Sequence, residues 1–104
     1  MQDKLRGALK GGRVRWRSHA QQRMLERGIL RSDVRDIIEH GQIIEEYLDA
    51  SPYPSFLIFG LARQEPLHTL VAYSESDKRL YVITAYQPDG EHYELDHVTR
   101  KREL

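Results

Sequence analysis

Residues 17–28 of the chain read RSHAQQRMLERG, a stretch that carries both the start and the stop signal of one short helix. Ser18 is a favourable N-cap, and Gln21 three residues later completes a capping-box pattern. Gly28 suits the left-handed backbone position that closes a helix. The stretch therefore predicts a helix over 18–27.

A row of cationic side chains lies beside the apolar stripe of this helix. His19, Arg23 and Arg27 recur at every fourth residue, so they stack on one side, next to the apolar pair Ala20 and Met24. One imidazole and two guanidinium groups in line indicate an anion site. The alternative interpretation is a solvated face whose arginine stems cover apolar neighbours.

A second capped helix follows at once. Ser32 is a start signal and Gly41 is a stop signal. Val34, Ile37 and Ile38 share one helical face between them. Two short capped helices joined by a tight turn predict a helical hairpin.

The apolar pattern changes from a helical to a strand period after residue 42. Residues 56–60 form a continuous apolar run that ends in glycine, as expected of a strand covered on both faces. Residues 67–73 and 80–86 alternate and are joined by short polar turns. These three segments predict neighbouring strands of one antiparallel sheet with the helices on one face, which is an α+β fold.

The length of 104 residues fits a single domain, 1–104. Residues 3–10 predict a short helix, and the alternating basic residues of 13–17 predict a strand or an extended arm. The predicted division is a basic N-terminal segment at 1–17, the helical hairpin at 18–41, the antiparallel sheet at 42–86 and a polar tail at 87–104.

Charge is unevenly distributed along a chain whose net charge is zero. Residues 1–31 contain nine lysines and arginines against two acidic residues, a net charge of +7, which favours a polyanionic partner. The chain contains no cysteine, no apolar run long enough to span a membrane and no signal-peptide pattern. We therefore expect a cytoplasmic protein without a membrane partner.

Two polar residues stand out on the predicted strands. His68 occupies a strand face where a polar ring is unexpected, although a hydrogen-bonded core histidine is the commoner explanation. Tyr86 ends the last strand, where functional side chains often project; the alternative is a half-buried tyrosine with a packing role.

The alternation of the strands predicts which side chains share a face of the sheet. On the strand at 67–73 it predicts Leu67, Thr69, Val71 and Tyr73 on one face and His68, Leu70 and Ala72 on the other. On the next strand it predicts one shared face for Leu80, Val82, Thr84 and Tyr86.

Histidines and arginines in these positions suit transfer at a phosphate group. One imidazole can accept the proton of a ribose 2′-hydroxyl while another imidazole donates to the leaving 5′-oxygen, which makes His19 and His68 the predicted proton-transfer pair. Arginines stabilise the charge of the transition state. This chemistry needs no cofactor and no metal ion, and the histidine spacing carries no metal-site signature. We predict a catalytic set of His19, Arg23, His68 and Tyr86 and an RNA-binding set of Arg13, Arg15, Arg17 and Arg27.

Several ordered motifs resemble the DUF4258 family of small bacterial proteins. They cover nearly the whole chain and include His19-Ala20-x-x-Arg23-Met24-x-Glu26-Arg27-Gly28-Ile29, Gly41-x-Ile43-Ile44-Glu45-x-Tyr47, Pro52-Tyr53-Pro54-Ser55, Pro66-Leu67-His68 and Ile83-Thr84-Ala85-Tyr86-x-Pro88. That family is similar to toxins of the RelE/ParE and BrnT kind. The resemblance implies a RelE/ParE-like toxin fold and a cognate antitoxin partner of the zinc-finger type.

These lines of reasoning lead to one hypothesis and two alternatives. The hypothesis is a toxin-type, metal-independent endoribonuclease (an mRNA interferase) of a type II toxin–antitoxin pair, acting on RNA that is free or on the ribosome. The first alternative is a non-catalytic RNA- or protein-binding module that uses the same basic face. The second is a ParE-like toxin directed at gyrase.

Overall fold

Three helices cover one face of a five-stranded sheet in the computed structural model, which describes residues 1–89, 98 and 99. Most of the tail predicted at 87–104 lies outside the described residues. The elements are α1 (Gln2–Lys10), β1 (Val14–Trp16), α2 (Ser18–Arg27), α3 (Arg31–His40), β2 (Gln42–Tyr47), β3 (Ser55–Ala62), β4 (Glu65–Ser74) and β5 (Arg79–Tyr86).

The strand order in the sheet is β1-β5-β4-β3-β2. Strands β2 to β5 form the antiparallel meander that the short connections predict, so the α+β class is confirmed. The sheet as a whole is mixed, because β1 pairs with β5 in parallel. This parallel edge strand comes from residues 13–17, which the sequence predicts as a strand or an extended arm and which lie outside the antiparallel sheet predicted at 42–86. Val14 and Trp16 pack against the core, which draws the basic N-terminal segment into the sheet.

The helix ends differ in detail from the sequence-based prediction. Helix α2 begins after Arg17 without a side-chain cap, and Gln21 instead donates a hydrogen bond to the carbonyl oxygen of Trp16 at 3.1 Å. Gly28 closes the helix in the left-handed conformation, with φ of 68°, as predicted. Helix α3 begins at Arg31, one residue before Ser32, and the side chain that caps it is that of Asp33, which accepts from the amide of Leu30.

The core lies between the helices and the sheet. Helix α2 packs on β5, α3 packs on β3, and α1 packs beside α3. The two helices of the predicted hairpin are therefore held chiefly by the sheet. Burial of large apolar side chains of this kind contributes about 1.5–3 kcal/mol per residue. The core includes Leu5, Ala8, Ala20, Met24, Val34, Ile37, Ile38, Phe56, Ile58, Leu67, Val71, Leu80, Val82 and Ala85.

A β-bulge in β5 changes which residues share a face of the sheet. Leu70 pairs with Thr84, whereas the next residue of β4, Val71, pairs with Val82, so Ile83 is the extra residue. Leu80 and Val82 face the helices, and beyond the bulge Thr84 and Tyr86 face the opposite side. The prediction that these four residues share one face is wrong for this reason. On β4 the predicted alternation is confirmed, with Leu67 and Val71 in the core and His68 on the other face.

No helix among the described residues is both long enough and apolar enough to cross a membrane.

Candidate functional site

His68 lies on the sheet face that points away from the helices. Its side chain is 0% exposed, between Phe59 of β3 and Tyr86 of β5, which are its partners in the strand register. The ring centroids of Phe59 and Tyr86 lie 5.8 Å and 5.3 Å from that of His68, in edge-on arrangements. Nδ1 of His68 lies 3.3 Å from the hydroxyl of Tyr86, a long hydrogen bond. His68 is thus a buried histidine in polar contact with a tyrosine.

Tyr86 joins His68 to a solvent-facing cleft of about 510 Å³. The cleft is lined by Tyr86, Gln87, Asp89 and Arg27, the last of which extends from the final turn of α2. Nη1 of Arg27 donates to the carbonyl oxygen of Ala85 at 2.8 Å. β1 pairs with β5 only as far as Val82, so this carbonyl belongs to the part of β5 that β4 pairs with but β1 does not cover. Arg27 is therefore fixed beside Tyr86 by its contact with the end of β5.

His19 lies in a different place, in a second cleft of about 510 Å³. Arg17 and His19 are exposed there, and the guanidinium carbon of Arg17 lies 5.4 Å from the centroid of the Tyr81 ring. The lining residues are Arg15, Trp16, Arg17, Ser18, His19 and Tyr81. This cleft, called the β1 cleft below, collects three of the residues predicted to bind RNA or act on it.

The remaining predicted site residues are distributed as follows. Arg23 is exposed one turn before Arg27, and its Nη1 lies 3.5 Å from a carboxylate oxygen of Glu26. Arg13 donates through Nε to the carbonyl oxygen of Lys78 at 2.9 Å, and thereby ties the chain before β1 to the β4–β5 loop.

The structure brings His68, Tyr86 and Arg27 together and places His19 apart from them. His19 shares a cleft with Tyr81 and His68 contacts Tyr86, two tyrosines five residues apart on β5, which corresponds to about 16 Å along a strand. His19 is exposed, whereas His68 is buried. The two histidines therefore do not form one acid–base pair in this conformation.

One ion pair that the sequence analysis did not single out borders a third cleft, of about 450 Å³. Arg63 donates to both carboxylate oxygens of Asp33, at 2.9 Å and 2.7 Å, and to the carbonyl oxygen of Gly28 at 3.0 Å. Asp33 also accepts a hydrogen bond from the amide of Leu30 at 2.8 Å, which caps α3. Arg27 lines the same cleft. The only sequence signal was Asp33 near a helix start, since Arg63 comes from a distant turn.

The histidines and acidic residues do not assemble into a metal site in the part of the chain that the structure describes. Among residues 1–89, 98 and 99, no set of three or more His, Cys, Asp or Glu side chains is arranged to hold a metal ion. Two further histidines of the sequence, His92 and His97, lie outside the described residues.

Comparison with known proteins gives one match. No curated protein and no solved structure matches the sequence at a significant level. A family model described as a domain of unknown function matches residues 16–87, which include α2, α3 and strands β2 to β5. Because this match covers more than half of the chain, the chain belongs to the DUF4258 family.

Proposed function

We propose that this protein is a toxin-type endoribonuclease that cleaves RNA without a metal ion and is inhibited by a cognate antitoxin. The observation that supports this proposal best is the position of Tyr86. Its hydroxyl contacts the buried His68, and its ring borders the cleft into which Arg27 is fixed. A proton-transfer group, its positioning partner and an anion-binding guanidinium thus meet at one end of β5.

In this proposal Tyr86 acts at the leaving group. The 2′-oxygen of the ribose bonds to phosphorus, its proton passes to water, and the bond from phosphorus to the 5′-oxygen breaks. Tyr86 donates its hydroxyl proton to that 5′-oxygen and regains a proton from solvent. His68 is a positioning residue that orients the hydroxyl, and such contacts are often long before the substrate binds. Arg27 stabilises the additional negative charge on the phosphate.

A basic surface that runs from the β1 cleft along α2 supplies the affinity for RNA in this proposal. Arg15, Arg17, Arg23 and His19 are exposed on β1 and α2 or just between them. Phosphate contacts of this kind account for most sequence-independent affinity. The assignment differs from a His19–His68 acid–base pair, because His19 now belongs to the binding surface.

The partners follow from the toxin-like resemblance. RNA, free or on the ribosome, is the substrate, and an antitoxin of the zinc-finger type is the inhibitor. The corresponding location is the cytoplasm, where both partners occur.

The decisive experiment is an RNA-cleavage assay in EDTA with the purified protein and its Tyr86→Phe variant. We expect the parent to release fragments that end in a 2′,3′-cyclic phosphate, since the ribose hydroxyl is the nucleophile. The Phe variant should bind the same RNA but cleave it at least about 10²-fold more slowly. If the parent cleaves neither free RNA nor RNA on ribosomes, the catalytic proposal fails.

A second candidate function, a non-catalytic RNA-binding module, is favoured by one specific observation. His68 is fully enclosed, whereas the arginines of the β1 cleft are exposed. A binding module needs only the exposed arginines, because it transfers no proton. It predicts that RNA binding survives in the parent while no cleavage product appears.

A further inference from the structure

Tyr81 is the centre of a stack at the β1 edge of the sheet. The Tyr53 ring lies 5.3 Å from the Tyr81 ring, centroid to centroid, with only 15° between the ring planes. The guanidinium carbon of Arg17 lies 5.4 Å from the same Tyr81 centroid. The Tyr81 ring therefore stacks against one planar ring, that of Tyr53, and has one planar cation, that of Arg17, over it.

The surroundings of this platform are cationic. Arg15 is the register partner of Tyr81 across the parallel β1–β5 pair, and Arg17 and His19 follow it along the chain. None of the described residues that line the β1 cleft is acidic. The cleft beside Arg63, in contrast, contains Asp33 and Glu65 as well as two arginines, so its lining charges cancel. Of these two clefts, the β1 cleft is the one that suits a polyanion.

We propose that Tyr81 is the stacking platform for one unpaired nucleobase of the bound RNA. The base occupies the position that the Arg17 guanidinium takes over the ring, and Arg15 and Arg17 bind the flanking phosphates. A planar cation over an aromatic ring is the contact that a base can replace, because every base has a flat π-face. A base inside a duplex cannot do so, since its faces are already stacked.

This inference rests on the proposed RNA binding and adds selectivity for single strands to it. The reacting end of β5, at Tyr86, lies five residues further along the same strand, about 16 Å away. The stacked base would therefore fix the register of the RNA without touching the group that transfers the proton. Tyr81 is a binding residue in this proposal.

The test compares Tyr81→Leu with Tyr81→Phe for binding of a ten-nucleotide oligoadenylate RNA and of the same strand in a duplex. We expect Tyr81→Leu to weaken single-strand binding by about 5- to 150-fold, the range for loss of one base–aromatic stack. Tyr81→Phe keeps the ring and should bind within about twofold of the parent. Duplex binding should be the same in all three proteins. Tyr47→Leu, at an exposed tyrosine on β2, is the matched control and should have no effect.

A second measurement uses the unmodified protein, because Tyr81→Leu also removes the ring on which Tyr53 stacks. Trp16 is the only tryptophan of the chain and lines the β1 cleft, so its fluorescence reports on that cleft directly. Single-stranded RNA should change the emission, and duplex RNA should not. Adenosine monophosphate at high concentration should shift the NMR signals of the Tyr81 ring, and inorganic phosphate should leave them nearly unchanged.

The outcomes separate this inference from the function on which it rests. If a folded Tyr81→Leu variant binds single strands like the parent, or if the Trp16 emission and the Tyr81 signals do not respond, the stacking site is refuted while RNA cleavage at Tyr86 stands. Equal affinity of the parent for single strands and duplexes also refutes it. If the parent binds no RNA at low salt, both proposals fail together.

Discussion

The hydroxyl of Tyr86 lies 3.3 Å from Nδ1 of His68, directly across the ladder between β5 and β4. The β-bulge at Ile83 produces this contact, because it turns the end of β5 over relative to the beginning. If Ile83 were instead paired and β5 alternated regularly, Tyr86 would share the helix-facing side with Leu80 and Val82. Bulges often redirect a side chain next to an active site.

The first prediction concerns this pair. Tyr86→Phe removes one oxygen and keeps the ring, so we expect unchanged thermal stability within a few degrees and a loss of cleavage of at least about 10²-fold. His68→Gln should lower cleavage less, because His68 only orients the hydroxyl, but it should also lower stability, since the ring is fully buried. Tyr47→Phe, at an exposed tyrosine, is the control. The measurements are the cleavage rates and melting curves of the three variants and the parent. Equal cleavage rates for Tyr86→Phe and the parent would contradict the proposed role of Tyr86.

The second prediction concerns the arginines of the basic surface together with Arg27 of the Tyr86 cleft. If Arg15, Arg17, Arg23 and Arg27 each neutralise one phosphate, the logarithm of the affinity for single-stranded RNA should fall against the logarithm of the salt concentration with a slope of about −3. Arg15→Ala should weaken binding at low salt and make the slope shallower by about 0.7.

The control for the salt series is Arg35→Ala, since Arg35 is exposed on α3 and lines none of the clefts described above. It should change neither the affinity nor the slope. An affinity for RNA that does not depend on salt concentration would contradict the prediction that these arginines bind phosphates.

Local patterns predicted much of this fold because local physics determines it. The helical period of Val34, Ile37 and Ile38 and the alternation of Leu67 and Val71 are set by which side chains reach the core. Gly28 adopts the left-handed conformation that its position after the last helical turn indicates.

The features that the sequence did not predict depend on contacts between distant residues. Ile83 is apolar on either face, so the alternation around it looks continuous and hides the bulge. Ser32 and Asp33 are both good residues at a helix start. Asp33 is the one whose side chain caps α3, and it is also bound by Arg63, thirty residues away. The separation of His19 from His68 likewise depends on how α2 lies along β5, which no single segment specifies.

The third prediction compares two glycines. A Cβ on Gly41 would lie 2.6 Å from the carbonyl oxygen of Phe59 and would also collide with that of Ile37, and backbone atoms cannot move aside easily. Gly41→Ala should therefore destabilise the fold by about 2–4 kcal/mol, as overpacking of rigid sites does. Gly7→Ala meets nothing within 4 Å in α1 and should stabilise it by about 0.5–1 kcal/mol. Chemical unfolding of both variants measures the difference, and similar stabilities would show that the α3–β3 contact at Gly41 is looser than described.

The last prediction concerns the ion pair between Arg63 and Asp33, which ties the β3–β4 turn to the start of α3. The side chain of Asp33 is 5% exposed and that of Arg63 is 61% exposed. The two partners are therefore unequal. Removal of Arg63 leaves a buried carboxylate whose one remaining hydrogen-bond donor among the described residues is the Leu30 amide. Removal of Asp33 leaves a guanidinium that water can solvate.

We expect Arg63→Ala to cost about 2–3 kcal/mol of unfolding free energy and Asp33→Ala about 1–2 kcal/mol, of which the lost helix cap is about 1 kcal/mol. The double variant should be close to Asp33→Ala alone, since the carboxylate that Arg63 compensates is then absent. Backbone strain does not disturb this comparison, because φ of Arg63 is 51° and alanine is as unfavourable there as arginine. Gln64→Gly, with φ of 68° at the next position, is the control for the turn and should stabilise the protein by up to about 1 kcal/mol. Additive losses in the double variant would mean that Arg63 and Asp33 stabilise the fold independently and that the turn is not held by their contact.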